Sequence, residues 1–236
     1  MERLLAAATL LLCLTFAGST FIVPDFGGFD ADQFPIPQDS PPVQPAGYAF
    51  AIWGVIYLWL LAGSIFGLLR RATDPAWQAM RAPLCASLAV GTIWLPVAIN
   101  SAVWAAILIW VMLITALVAL RRAPTHDMGW AALPVGLYTG WLSAAACVAL
   151  GLVAAGYGYL GQDVAAIAFI FLALVVASAA QNAFGHIPTY GIAVIWALTA
   201  VVVQNLSGNP TVAALAAGGA LTLVWRMIKS WRAGRA

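Results

Sequence analysis

The chain has 236 residues, of which 64% are hydrophobic and 8% charged, and its formal net charge is +2. A water-soluble domain carries far more charge on its surface, so this composition excludes a soluble globular protein. No nucleic-acid partner is predicted. The lipid bilayer is the predicted surrounding, and the fold class is an all-α integral membrane protein.

Cutting the chain at its charged residues and at its Pro, Gly and Asn clusters predicts eight transmembrane helices. Each apolar stretch is close to the ~20 residues that a helix needs to cross about 30 Å of hydrocarbon. The boundary between the third and fourth spans depends only on Pro96 and the pair Asn100-Ser101, because residues 84–120 carry no charge. The predicted spans are residues 4–22, 47–69, 84–99, 102–120, 129–153, 164–181, 187–204 and 211–228.

The first span has a second interpretation as a cleavable signal peptide. Arg3 precedes an apolar run that ends at the small residues 17–19, a pattern typical of a cleavage site. The apolar run from Leu4 to Val23 is long for a signal peptide. A retained helix is therefore the preferred interpretation.

The loop at residues 24–46 is the only sizeable one, and its six prolines exclude a continuous helix. Its three phenylalanines, Phe26, Phe29 and Phe34, indicate more than a solvated linker. We expect the loop to fold back over the outer mouth of the bundle as a cap. The alternative is that the rings are anchors at the membrane interface.

Charge placement predicts the orientation of the spans, because basic residues concentrate in cytoplasmic connections. Alternate connections hold either all ten Lys and Arg residues or acidic residues alone, so we expect both termini in the cytoplasm. The predicted location is a bacterial inner (plasma) membrane. Arg3 lies at the start of the chain. The second connection holds Arg70, Arg71 and Arg81, the fourth holds Arg121 and Arg122, and the C-terminal end holds Arg226, Lys229, Arg232 and Arg235. The opposite connections hold Asp25, Asp30, Asp32, Asp39 and Asp163.

The predicted spans offer no machinery for conventional catalysis or ion coupling. Apart from Arg226, none contains the Asp, Glu, Lys or Arg that proton-coupled pumps and carriers use. The chain lacks a Ser-His-Asp set, a His-Glu-x-x-His motif and a phosphate-binding loop with its lysine. We therefore predict a protein that is not an enzyme and has no cofactor or metal.

Aromatic residues are the distinctive content of the spans. Trp53 and Tyr57 lie four residues apart and share a helix face, and Tyr138 and Trp141 lie three apart. Aromatic faces with indole N–H and phenol O–H groups suit a large, planar, mostly apolar ligand. Simple packing between helices is the alternative interpretation of such pairs.

The same residues resemble a known family. Segment 45–57 has the sequence Pro-Ala-Gly-Tyr-Ala-Phe-Ala-Ile-Trp-Gly-Val-Ile-Tyr. It is similar to the Pro-Pro-x-Trp-Val-Phe…Trp-x-x-x-Tyr signature of the translocator protein family, the tryptophan-rich sensory proteins (TspO/MBR). Leu88–Pro96 resembles the family's Leu-Asn-x-x-Trp-x-Pro, and Tyr138–Ala145 resembles its Pro-Tyr-x-x-Trp-x-Ser-Phe-Ala.

This sequence also departs from the family pattern. Gly91 stands where an Asn is usual, Ala149 replaces a late Asn of the fifth span, and Pro134 is displaced from Tyr138. The spacing between Phe50 and Trp53 is one residue shorter than in the family. The family has five spans, so we expect residues 1–153 to form a TspO-like five-helix core. Residues 154–236 then add three transmembrane helices and a short basic tail.

The resemblance implies a membrane sensor or regulator that binds a hydrophobic planar ligand inside the bundle. In this family the ligand class is a tetrapyrrole such as protoporphyrin, or a sterol-like lipid. The loop before Pro45 is expected to be the lid of the site. The predicted ligand-binding residues are Phe50, Trp53, Tyr57, Trp94, Tyr138 and Trp141.

Two other functions fit the same sequence. A facilitator or permease for a neutral small molecule needs no carboxylate in the membrane. A structural or regulatory subunit works through a partner protein and needs no cavity among spans 2, 3 and 5. Small residues at 213–220, and Gly151 with Ala155, permit close helix contacts and self-association into a homo-oligomer.

Overall fold

The protein is a helical bundle, seen in a computed structural model that describes residues 2–22 and 26–233. Within these residues, eight helices are long and apolar enough to cross a membrane, which confirms a multi-pass integral membrane protein. The predicted features at Pro24, Asp25 and Arg235 lie outside the described residues. The helices are α1 (Glu2–Gly18), α2 (Ile52–Arg70), α3 (Pro75–Ala98), α4 (Ala102–Arg121), α5 (Ala132–Gly156), α6 (Gln162–Phe184), α7 (Pro188–Asn205) and α8 (Pro210–Ala233).

Most helix boundaries lie within a few residues of the predicted spans. Short 3₁₀ turns extend α1 through Ser19–Phe21 and precede α2 at Gly47–Ala51. The predicted hairpin between the third and fourth spans is confirmed, because α4 begins directly after Ser101. The Ser101 hydroxyl accepts a hydrogen bond from the Trp104 amide at 3.3 Å, which satisfies one of the free amides of the first turn.

The predicted start of the third span, at residue 84, is wrong. Helix α3 begins at Pro75, because Asp74 accepts hydrogen bonds from the Ala76 and Trp77 amides at 2.9 and 3.1 Å. Proline at the first helical position is favoured, since the missing N–H has no partner in the helix anyway. A strong helix start therefore lies well before the first uncharged residue.

Arg81 consequently lies inside α3 and not in the predicted connection. Its side chain is buried, and its Nη2 donates hydrogen bonds to the carbonyls of Gly67 at 2.8 Å and Arg71 at 3.2 Å. These carbonyls belong to the end of α2, where a cation is favoured by the helix dipole and by the free acceptors. An arginine can thus be part of a membrane helix when a neighbouring helix end receives it.

Helix α5 is the centre of the bundle, and most of its residues are buried against α4, α6 and α7. Its closest neighbour is α7: a Cβ at Gly140 would contact the carbonyl oxygen of Tyr190. The Tyr190 hydroxyl also donates a hydrogen bond to the Ser143 hydroxyl at 2.9 Å. Helix α7 therefore packs directly on the central helix, although it lies beyond residue 153. The division of the chain at residue 153 stays a prediction.

The two ends of the bundle differ in charge. At one end, here called the basic end, Arg71 forms a salt bridge with Asp127 at 2.7 Å, and Gln78 donates to the Glu2 carbonyl at 3.0 Å. Among the described residues every Lys and Arg with a described side chain lies at this end: Arg3, Arg70, Arg71, Arg81, Arg121, Arg122, Arg226 and Lys229. Which end faces the cytoplasm stays a prediction.

The opposite end is covered by residues 26–46, here called the lid. The lid satisfies helix carbonyls: Gln33 Nε2 donates to the Ala98 carbonyl at 3.0 Å, and the Ile36 amide donates to the Gly156 carbonyl at 2.9 Å. Phe34 is buried in the protein core instead of lying at a membrane interface. The described part of the loop thus folds back over the bundle, as the cap interpretation predicts.

Candidate functional site: an aromatic cavity under the lid

Phe16 of α1 organises one half of an aromatic cluster inside the bundle. Its ring centroid lies 5.0 Å from Tyr57, 5.7 Å from Trp53 and 5.8 Å from Tyr138, each in an edge-to-face arrangement. Trp53 and Tyr57 stack with their planes 16° apart. Both geometries are those that aromatic rings prefer, so the cluster is a well-packed wall.

Phe26 of the lid organises the other half. Its ring lies 5.3 Å from Trp94 and 6.3 Å from Phe50, and Phe50 in turn lies 5.9 Å from Trp141. Trp53 joins the two halves, since its ring centroid is 6.2 Å from that of Trp141. The six aromatic residues predicted from the sequence are thus brought into a single cluster, together with Phe16, Phe26 and Phe29.

The cluster borders two neighbouring cavities. The larger, here called the aromatic cavity, has a volume of about 190 Å³. It is lined by Phe16, Thr20, Phe26, Phe50, Trp53, Tyr57, Trp94, Leu95, Ile109, Met112 and Leu142. The smaller, here called the inner cavity, has a volume of about 70 Å³ and reaches between α5, α6 and α7.

A shared wall separates the two cavities. Phe26, Phe50, Trp94 and Ile109 line both of them. The aromatic cavity alone is smaller than the ~300–1,000 Å³ typical of small-molecule sites. A ligand that needs a site of this volume therefore requires the shared side chains to move, so that the two cavities become one. Of these four side chains, Phe26 belongs to the lid.

Trp141 has a buried polar atom without a hydrogen-bond partner at this site. Its side chain is 2% exposed and lines the inner cavity, and its indole N–H has no hydrogen-bond partner among the described residues. Trp94, by contrast, donates its indole N–H to the Ala105 carbonyl at 2.9 Å. Burying an unpartnered donor costs about 1–3 kcal/mol, so Trp141 offers a hydrogen bond that a ligand can complete.

Charge is absent from the walls of both cavities, whose described lining residues include no Asp, Glu, Lys or Arg. The lid above them carries Asp30, Asp32 and Asp39, all exposed. Among the described residues, the lid end has no cation to receive an anionic group. An anionic ligand would therefore lose its hydration without gaining a partner.

Tyr138 supports the wall without lining either cavity. It is fully buried, and its hydroxyl lies 2.8 Å from Ser87 Oγ, which itself donates to the Met112 carbonyl at 2.8 Å. The Tyr138 hydroxyl is therefore the donor to Ser87. This chain of hydrogen bonds ties α5 to α3 and α4 behind the stacked pair of Trp53 and Tyr57.

Sequence reasoning missed six residues of the aromatic cavity: Phe16, Thr20, Leu95, Ile109, Met112 and Leu142. Phe16 has no aromatic neighbour at helical spacing in the first span. Ile109 and Met112 lie three residues apart, but α4 is apolar on every side, so no face is distinguished. The lid prediction did include Phe26 and Phe29.

Fold and site together define a helical membrane protein with an uncharged aromatic cavity beneath a folded lid. The chain matches the model of the TSPO-like protein family over residues 36–228, and it belongs to that family. The matched range includes α2 to α7 and most of α8, but not α1. No curated protein and no solved structure matched the chain in the corresponding comparisons.

Proposed function

We propose that the protein is a membrane sensor or regulator that binds a flat, uncharged, apolar molecule of the tetrapyrrole or sterol type. The observation that carries this proposal is the unpartnered indole N–H of Trp141 beside cavities walled by aromatic rings. Ring faces stabilise a planar ligand over its whole area, and a single donor then fixes its orientation.

The lid is the gate in this proposal. Phe26 occupies the shared wall and contacts both Trp94 and Phe50, so its withdrawal joins the aromatic and inner cavities. The lid also holds the ends of α3 and α5 through Gln33 and Ile36. Ligand entry therefore changes contacts at the lid end, which is the signal that a sensor would transmit.

The charge pattern selects among planar ligands. A free carboxylate inside the cavities meets no cation, and one that emerges at the lid meets Asp30, Asp32 and Asp39. Juxtaposed like charges oppose binding. We therefore infer that a neutral porphyrin ester or a sterol binds more tightly than a porphyrin with free propionates.

Binding by the purified protein in neutral detergent tests this proposal. Protoporphyrin dimethyl ester and free protoporphyrin are titrated separately, with the porphyrin absorbance band as readout, and cholesterol is added as a competitor. We expect saturable binding of the ester, competition by the sterol and affinity at least tenfold lower for the free acid.

Two tryptophan variants locate the binding. Trp141→Phe removes the unpartnered donor and should weaken ester binding about fivefold, the value of one hydrogen bond. Trp110→Phe is the matched control, because the Trp110 indole donates to the Ala146 carbonyl at 3.2 Å and lines neither cavity. Absent or non-saturable binding, or equal losses in both variants, contradicts the proposal.

A further inference from the structure

A separate pocket lies at the basic end, between the α6–α7 connection and the end of α8. Its volume is about 640 Å³, and it shares no lining residue with the aromatic or inner cavity. We call it the basic pocket. It is lined by Gln181, Asn182, Ala183, Phe184, Gly185, His186, Ile187, Pro188, Trp225, Arg226, Met227, Lys229 and Ser230.

The positive charge of this pocket is not balanced by any carboxylate among its described lining residues. Among the described residues, Arg226 donates hydrogen bonds to neutral acceptors alone, the Asn182 side-chain oxygen and the Ser178 carbonyl. The Nζ atom of Lys229 lies 5.4 Å from the centroid of the Trp225 ring. Two cations with neutral neighbours favour an anion between them.

Gln181 adds a buried polar group to the same pocket. Both atoms of its side-chain amide are buried, and neither has a hydrogen-bond partner among the described residues. The side chain is held in place between helices, since a Cβ at Gly191 of α7 would meet both this amide and the sulfur of Met227. A fixed, unpartnered amide beside two cations is a donor for an oxyanion.

We infer that the basic pocket binds the phosphoryl headgroup of an anionic phospholipid. Trp225 is 61% exposed at the end of α8, as aromatic residues at a membrane surface are. Basic pockets between transmembrane helices at such a surface accept anionic lipid headgroups. A soluble phosphate ester shares the phosphoryl chemistry, but it lacks the acyl chains that would extend from this position into the bilayer.

Native mass spectrometry of the intact protein from neutral detergent tests the inference. Retention of dioleoyl phosphatidylglycerol is compared with that of dioleoyl phosphatidylcholine. We expect the anionic lipid to be preferred by the native protein. Arg226→Gln and Lys229→Gln should each reduce its retention about fivefold, the effect of one basic residue near an anionic surface. Gln181→Leu should reduce it as well.

Arg121→Gln is the matched control, since Arg121 is exposed at the same end on α4 and its replacement changes the net charge equally. We expect it to keep the native preference. Arg226→Lys keeps the charge and should retain most of the lipid, which separates loss of the site from loss of the fold.

Three outcomes overturn the inference: equal retention of both lipids, an equal loss in Arg121→Gln, or no loss in Arg226→Gln and Lys229→Gln. Binding of glycerol 1-phosphate without retention of phosphatidylglycerol overturns the lipid assignment and identifies a soluble phosphate ester as the ligand source. None of these results bears on the aromatic cavity, whose ligand is measured separately.

Discussion

Trp141→Phe should leave the ligand-free protein nearly as stable as the native form, although it truncates a large buried side chain. Trp141 is 2% exposed, so the smaller ring leaves a cavity that costs about 1–2 kcal/mol. The same change removes an indole N–H without a partner, which relieves a desolvation penalty of about 1–3 kcal/mol. The two effects oppose each other, and we expect a net change within about 1 kcal/mol of zero.

Trp110→Phe exchanges the same two side chains at a position where the indole N–H does have a hydrogen-bond partner. The Trp110 indole N–H donates to the Ala146 carbonyl at 3.2 Å, so this substitution loses ring packing and a hydrogen bond together. We expect it to lower the free energy of unfolding by about 2–3 kcal/mol. Both variants exchange the same two side chains, but Trp110 is only partly buried, so a larger loss in Trp110→Phe must come from its hydrogen bond and not from greater packing.

Unfolding by sodium dodecyl sulfate from a neutral detergent, followed by far-ultraviolet circular dichroism, measures both values. The reasoning is refuted if Trp141→Phe is as destabilising as Trp110→Phe. That result would mean that the Trp141 N–H has a hydrogen-bond partner in the ligand-free protein and is not free to donate to a ligand.

Three further predictions test packing, charge and the lid. Gly140→Ala should destabilise the bundle by about 1–2 kcal/mol, because the new Cβ would contact the Tyr190 carbonyl on α7. Gly54→Ala should stabilise the bundle by about 0.5–1 kcal/mol, because a Cβ at that position has no other atom within 4 Å. Titration with sodium dodecyl sulfate measures both changes. The Arg71 guanidinium, 2.7 Å away, holds the pKa of Asp127 below its ordinary value of 3.8. Stability from this lowered pKa is complete above pH 3.8 and lost as the pH falls through the folded value, so Asp127→Asn should flatten the acid side of the unfolding profile. Phe26→Ala should open the shared wall and speed porphyrin ester binding in stopped-flow absorbance; an unchanged rate contradicts a gate at the lid.

Composition and apolar run length were sufficient to predict eight helices, because a chain this apolar has no alternative to spanning the bilayer. The start of α3 differs from the prediction for a physical reason. The charge of Arg81 predicts a connection, but the carbonyls at the end of α2 accept hydrogen bonds from its guanidinium inside the protein. Such tertiary compensation has no signature in the sequence around Arg81 itself.

The candidate site was predictable only in part. Helical spacing correctly paired Trp53 with Tyr57, which stack in the structure. Spacing also paired Tyr138 with Trp141, but it could not show that Tyr138 turns behind the wall to reach Ser87. Phe16 was missed because it joins the site only through the packing of α1, which no periodicity within the first span indicates.

The most direct test of the central claim is to fill the aromatic cavity and measure binding of protoporphyrin dimethyl ester by its absorbance band. Thr20 lines the cavity, and its hydroxyl donates only to the Ala17 carbonyl of its own helix, at 2.8 Å, so Thr20→Trp adds volume without breaking a contact between helices. Leu11→Trp is the control on the same helix, since Leu11 is 61% exposed and faces away from the cavity. The account predicts affinity at least tenfold weaker for Thr20→Trp and unchanged for Leu11→Trp. Equal affinity in both variants would contradict binding in this cavity.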